Sequence, residues 1–133
     1  MDCAQIFESI EKLRRLTHLN VQTGWQYCET DLPVAEIEAS AENWPIAPLN
    51  AKGHIAWKGG RQVVWLFQRL SVPVDLQGYP LEGLTFRLSL SWWAEDAQIL
   101  VNGKLAQQGD LFDCAVRVLL SPAVIAGEEF TIL

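Results

Sequence analysis

The sequence is short of the residues that do chemistry unaided. It has two histidines, His18 and His54, and neither stands in a His-Glu-x-x-His pattern or beside a carboxylate at ligand spacing. Both are expected to play ordinary surface roles, and no cofactor or metal is expected on this stretch. The three cysteines, Cys3, Cys28 and Cys114, form no Cys-x-x-Cys pair and leave one thiol over in any disulfide scheme. That count fits a reducing compartment. There is no Gly-x-Ser-x-Gly elbow, and Gly24 and Gly59-Gly60 make no phosphate loop. No apolar run approaches the roughly 20 residues of a membrane span. The first 15 residues carry acids where a secretory leader carries bases. Basic charge is scarce too: ten Lys and Arg stand against sixteen Asp and Glu, for a net charge of −6. This is a poor match for a phosphate backbone. Lys52, Lys58 and Arg61 lie close together but read as a solvated loop. The expectation is a cytoplasmic chain that binds neither nucleic acid nor membrane.

Apolar material is plentiful. Half of the 133 residues are hydrophobic and six are Trp. A chain of this length is about one domain and can bury roughly two thirds of its unfolded surface. The organising stretch is residues 84–120. Leu84, Phe86, Leu88, Leu90 and Trp92 alternate with Thr85, Arg87, Ser89 and Ser91. Alternate strand side chains point to opposite faces, so the run predicts one apolar and one polar face. Residues 97–101 form another strand candidate. Asn102-Gly103 follows, the pair that a type I′ hairpin demands, so residues 104–108 should run back antiparallel. Phe112, Cys114, Val116, Val118 and Leu120 make a second alternation, closed by Ser121-Pro122. Cys114 would act there as a small hydrophobe.

Around this centre, residues 2–16 predict an amphipathic helix. Asp2 and Gln5 suit a capping box, and Ile6, Ile10 and Leu13 share a face with Phe7 and Leu16 at its margins. That stripe is expected to pack against this domain or a neighbouring one. Residues 20–24 read as a turn. Trp25 and Tyr27 with Ile37 point to short β segments around Pro33. Residues 39–53 hold no period and contain Pro45 and Pro48, so a long loop is expected there, pinned by Trp44. Residues 55–57 resume β character. Residues 62–70 are apolar on both faces, as in a strand covered on both sides. Residues 77–80 read as loop. Ala126-Gly127 turns into residues 128–133, where Phe130 and Ile132 open a last alternation. A strand cut there would leave its neighbour with an exposed edge, as in the front piece of a longer polypeptide. The fold expected is mainly β: residues 1–20 an amphipathic α-helix, residues 21–133 an antiparallel β-sandwich truncated at its C-terminal strand.

Two carboxylate pairs could carry chemistry, Glu95-Asp96 and Asp110 with Asp113. Glycosidic catalysis needs two acids held across a sugar in a desolvated pocket. On hairpin ends the expected role is a solvated turn, and calcium there is a weaker option. Trp92 and Trp93 must face opposite ways, so Trp92 completes the core row and Trp93 points outward. Trp93 with Glu95 and Asp96 is therefore the candidate carbohydrate platform: an indole face for stacking, acids for hydroxyls. The alternative is that Trp93 covers the sandwich rim or a following domain.

Several segments together resemble a known family: Trp65-Leu66-Phe67-Gln68-Arg69, Val72-Pro73, residues 84–92, Ala97-Gln98-Ile99-Leu100-Val101-Asn102-Gly103, Gly109-Asp110 and Gly127. Over residues 55–133 they are similar to the N-terminal region of class II α-mannosidases, family 38 of the glycoside hydrolases, in the bacterial and cytosolic-type branch. The resemblance implies a galactose-binding-like jelly roll ahead of a catalytic domain. That domain would hold zinc through a His-x-Asp pair and further Asp and His ligands, and use an Asp nucleophile with retention. His18 is followed by Leu19-Asn20 and His54 by Ile55-Ala56, so the zinc motif is not on this stretch. The implied piece carries no catalytic residue. Its implied partner is the catalytic domain of the same polypeptide, with mannose-containing carbohydrate as a second.

Overall fold

The computed structural model describes residues 2–60 and 62–133. Of the basic trio, Lys52 and Lys58 are exposed, and Arg61 lies outside the described residues. Helix α1 spans Cys3–Thr17. Asp2 accepts from the Gln5 N–H at 2.8 Å, and the Gln5 side-chain oxygen accepts from the Asp2 N–H at 3.1 Å. This capping box satisfies two of the donors that a helix start leaves orphaned. Glu11 pairs with Arg14 at 2.6 Å on the exposed face.

The apolar stripe of α1 finds no cover among the described residues, and none of its side chains is buried. Phe7 is 69% exposed and Leu13 61%, with Ile6 and Ile10 also on the surface. Of the two covers expected for this stripe, this domain or a neighbouring one, this domain does not provide it among the described residues. The helix touches the body near its last turn, where Gln77 Nε2 donates to the Arg15 carbonyl at 3.5 Å.

β1 is Gln26–Cys28. Ile37, expected on a β segment, lies instead in helix α2, Val34–Ser40, which runs on into a 3-10 turn over Ala41–Asn43. Pro33 stands at the N-cap in an extended conformation and makes no side-chain cap, and its carbonyl accepts from the Glu36 N–H at 2.9 Å. Ala35, Glu36, Glu38 and Ala39 then favour helix, and the four-residue spacing of Ile37 and Ala41 puts both on one buried face. The β preference of Ile37 loses to that burial. Residues 39–43 thus leave the long loop expected over residues 39–53. Ile55 makes one isolated bridge, to Leu49, rather than a strand.

β2 is Trp65–Ser71. β3 (Asp75–Leu76) and β4 (Tyr79–Pro80) form a small hairpin where loop was expected. Gln77 and Gly78 join them with φ of 51° and 85°, the signs of a type I′ turn. β5 is Phe86–Ser91, β6 Asp96–Val101, β7 Lys104–Asp110, β8 Ala115–Ser121 and β9 Glu129–Ile132. Asn102 and Gly103 turn β6 into β7 with φ of 51° and 78°, as the Asn-Gly pair predicts.

The sheets are antiparallel. One runs β1-β2-β9-β6-β7, the second pairs β5 with β8, and β3–β4 stands apart. The first two face each other across the main core: Leu88 and Val118 from one meet Ile99, Phe130 and Ile132 from the other. This is the expected β-sandwich. The five-stranded sheet has a second covered face, where Ile37 and Ala41 pack on Phe67, Leu100 and Leu133, with Trp44 and Trp65 alongside. β2 therefore sends Leu66 and Leu70 into one core and Trp65 and Phe67 into the other, the two-sided strand that its sequence predicts. An ion pair between Arg69 of β2 and Glu42 ties the 3-10 turn to the sheet.

Candidate functional site at the Trp93 end

Two loops meet at one end of the sandwich. The first joins β5 to β6 through residues 92–95, the second joins β7 to β8 through residues 111–114. Trp92 locks them together. Its backbone N–H donates to the Cys114 carbonyl at 3.0 Å, and its Nε1 donates to the Asp110 carbonyl at 3.3 Å. Its ring lies on Gly109: a Cβ there would stand 2.4 Å from Trp92 Cζ2 and 2.3 Å from the Asp113 carbonyl oxygen. Only a residue without a side chain admits that contact. Trp92 packs against the main core, as expected.

Asp110 shapes the second loop. Its carboxylate accepts from the Phe112 N–H at 2.8 Å and the Asp113 N–H at 2.9 Å. This Asx turn is the structural role anticipated for the acid. It also throws Phe112 outward. Phe112 was expected on the core row of residues 112–120 but is 99% exposed. β8 begins only at Ala115, so the alternation does not reach it. Leu84 drops out of its row in the same way, because β5 begins only at Phe86. The signal for a turn was present, as Gly109-Asp110 followed by Asp113 brackets Phe112 with turn formers.

Trp93 points outward as predicted and is 78% exposed. Glu95 is exposed on the same loop and Asp96 at the first position of β6, with Asp113 exposed on the neighbouring loop. Asp96 and Asp110 stand opposite each other in the β6–β7 register. Like charges placed so repel, and here water screens them. The end thus offers two aromatic faces and a set of solvated carboxylates. It can stack and accept hydrogen bonds. Glu95, Asp96 and Asp113 stand in water there, whereas a general acid works from a desolvated pocket.

No group of three or more His, Cys, Asp or Glu among the described residues could hold a metal ion. His18 Nδ1 lies 2.8 Å from Thr17 Oγ1 and 3.2 Å from the Arg14 carbonyl, closing the end of α1. His54 belongs to a turn built on Asn50, whose Oδ1 accepts its N–H at 3.0 Å. Cys3 is exposed, Cys28 and Cys114 are half-buried, and all three are free. No helix among the described residues is long and apolar enough to cross a membrane.

One cavity was not foreseen. It measures about 280 Å³ and is lined by Tyr27, Ile55, Trp57, Val64 and Leu66, with Glu29 and Lys58 contributing charge. This lies just under the roughly 300–1,000 Å³ of sites that enclose a drug-sized ligand. Next to Leu66 in β2, but in the other core cluster, the Trp65 Nε1 is buried with no acceptor among the described residues. Compared with models of known families, with curated proteins and with solved structures, the chain matches none.

Proposed function

We propose that this chain is a non-catalytic β-sandwich module whose work is to pack against a partner domain. On the resemblance described above, that partner is the zinc-dependent catalytic domain of an α-mannosidase, a glycosidase acting on α-mannosides in the cytoplasm. The module would position the domain and contribute no reacting group. Jelly-roll connectivity belongs to the same proposal. The observation that supports packing is the α1 stripe. A capped helix of 15 residues presents Ile6, Phe7, Ile10 and Leu13 to solvent. Burying each such side chain fully stabilises a complex by about 1.5–3 kcal/mol.

The deciding assay is hydrolysis of a chromogenic α-mannoside by a polypeptide that carries this module ahead of its catalytic domain. Zinc-dependent release is expected, and Ile10→Asp should lower the melting temperature of that polypeptide. Release that persists unchanged in a zinc-stripped sample, or no release at all, sinks the mannosidase reading.

A second reading rests on the Trp93 end. Trp93 and Phe112 stand exposed on adjoining loops with Glu95 and Asp96 beside them, which is the composition of a carbohydrate-stacking surface. Titration with mannose or oligomannose should then move the Trp93 indole resonance. A Trp93 signal unmoved at millimolar sugar removes this reading and leaves Trp93 as a protein contact.

A further inference from the structure

The outer face of the two-stranded sheet carries charge that nothing on that sheet balances. β5 and β8 send Leu88, Leu90, Val116 and Val118 into the main core. Their alternate residues point away from it, and Arg87, Ser89, Ser91, Ala115, Arg117 and Leu119 are all exposed. The register sets Arg87 opposite Leu119, Ser89 opposite Arg117 and Ser91 opposite Ala115. Arg87 and Arg117 are thus diagonal neighbours, about 7–8 Å apart at the backbone and close enough for two long side chains to meet on one group. Neither strand contains an Asp or Glu. Both ion pairs among the described residues lie elsewhere, Glu11 with Arg14 and Glu42 with Arg69. A chain of net charge −6 therefore holds two arginines side by side on one ribbon with no counter-charge on it. Like charges so placed repel, and an anion held between them removes that cost.

The same face ends on Trp93. Trp92 turns into the main core, so Trp93 continues the outward row of Arg87, Ser89 and Ser91. The bond from the Trp92 N–H to the Cys114 carbonyl carries the β5–β8 pairing one step past Ser91 and Ala115. Trp93 is four residues from Ser89, which puts it about 13 Å along the strand from the level of Arg117. The side chains between are those of Ser91 and Ala115, both small, so the space from the indole to the arginines is open. Past Trp93 the charge reverses, with Glu95, Asp96 and Asp113 exposed. The face is positive at one end, and aromatic and acidic at the other.

That order selects a ligand. A phosphate monoester carries about −1.5 to −2 charge and three acceptor oxygens, which matches two guanidiniums better than the single charge of a carboxylate does. The far end favours an uncharged ring, with an apolar face for the indole and hydroxyls that donate to carboxylates. We propose that the outer face of β5 and β8 binds a sugar phosphate, with its phosphate between Arg87 and Arg117 and its ring over Ser91 and Ala115 against Trp93. The sugar half rests on the carbohydrate reading of Trp93, and the anion half stands on Arg87 and Arg117 alone.

The test titrates the 133-residue protein with mannose 6-phosphate, mannose and inorganic phosphate, and follows the Arg Nε–H and Trp indole resonances. Mannose 6-phosphate should bind saturably with a Kd of about 1 mM or below, at least about tenfold more tightly than mannose or phosphate. It should shift Arg87, Arg117 and Trp93 together. Raising NaCl from about 20 to about 500 mM should weaken the sugar phosphate and leave mannose unchanged. Arg87→Gln and Arg117→Gln should each remove most of the advantage over mannose. Both sites are exposed, so each variant should melt within about 3 °C of the parent. Mannose and mannose 6-phosphate binding equally well, with Trp93 alone shifting, overturn this proposal and leave the carbohydrate reading standing. Phosphate binding as tightly as mannose 6-phosphate, with Trp93 still, overturns it too, because the ring then contributes nothing. Shifts at other basic residues in place of Arg87 and Arg117 overturn the site. No saturable binding of any of the three sinks both readings.

Discussion

Replace Ile37 with Ala, and separately Ile10 with Ala. The two residues are the same type, both sit in helices, and both lie on an apolar face. Ile37 is fully buried, at 0% exposure, among Ala41, Phe67, Leu100 and Leu133. Ile10 lies on the open stripe of α1. Truncating a buried Ile removes its transfer free energy and leaves a cavity, together about 2–5 kcal/mol. Ala is the better helix former, which returns about 0.4 kcal/mol. The net cost for Ile37→Ala should be about 3 kcal/mol, since the walls of that small core come from different elements and cannot collapse together. For Ile10→Ala only the propensity gain remains, and stability should change by less than about 0.5 kcal/mol. Urea denaturation followed by tryptophan fluorescence measures both, because Trp44 and Trp65 border the Ile37 cluster. In melting temperature the pair should differ by roughly 10 °C for a domain of this size. A loss below about 1 kcal/mol at Ile37 would show that α2 does not seal the sheet. An equally large loss at Ile10 would show that α1 is docked after all, and the packing proposal would lose its support.

Gly109→Ala should destabilise the protein by about 1–3 kcal/mol, since the new Cβ would strike the Asp113 carbonyl and the Trp92 ring; a neutral result in thermal unfolding would mean that the two loops are not locked together as described. Asn102→Ala removes the acceptor that takes the Thr131 N–H at 2.9 Å and puts Ala at a positive φ. The expected cost is about 2 kcal/mol, with faster amide exchange at Thr131, and unchanged exchange there would refute the contact.

Much of the sandwich is readable from pattern alone. A period of two is a local property, so the alternation of residues 86–92 and 114–120 identifies β5 and β8 without knowledge of their partners. The Asn-Gly turn is local as well, because only certain residues tolerate its positive φ angles, and Asp2 with Gln5 reports the start of α1 for the same kind of reason. Trp93 faces outward by arithmetic, being the neighbour of a core Trp. What could not be read is whatever depends on which surface meets which. Ile37 is helical because a sheet face needed covering, and nothing beside it in the sequence announces that face. Phe112 continues a perfect alternation, yet Asp110 takes its backbone into a turn before the strand begins. The sheet places β2 and β6, about thirty positions apart in the chain, on either side of a third strand from near position 130. Patterns along a chain set which side chains share a face. Only the closed ladder decides which backbone groups are left without a partner, because hydrogen bonds between strands are made across space and leave no mark in the local sequence.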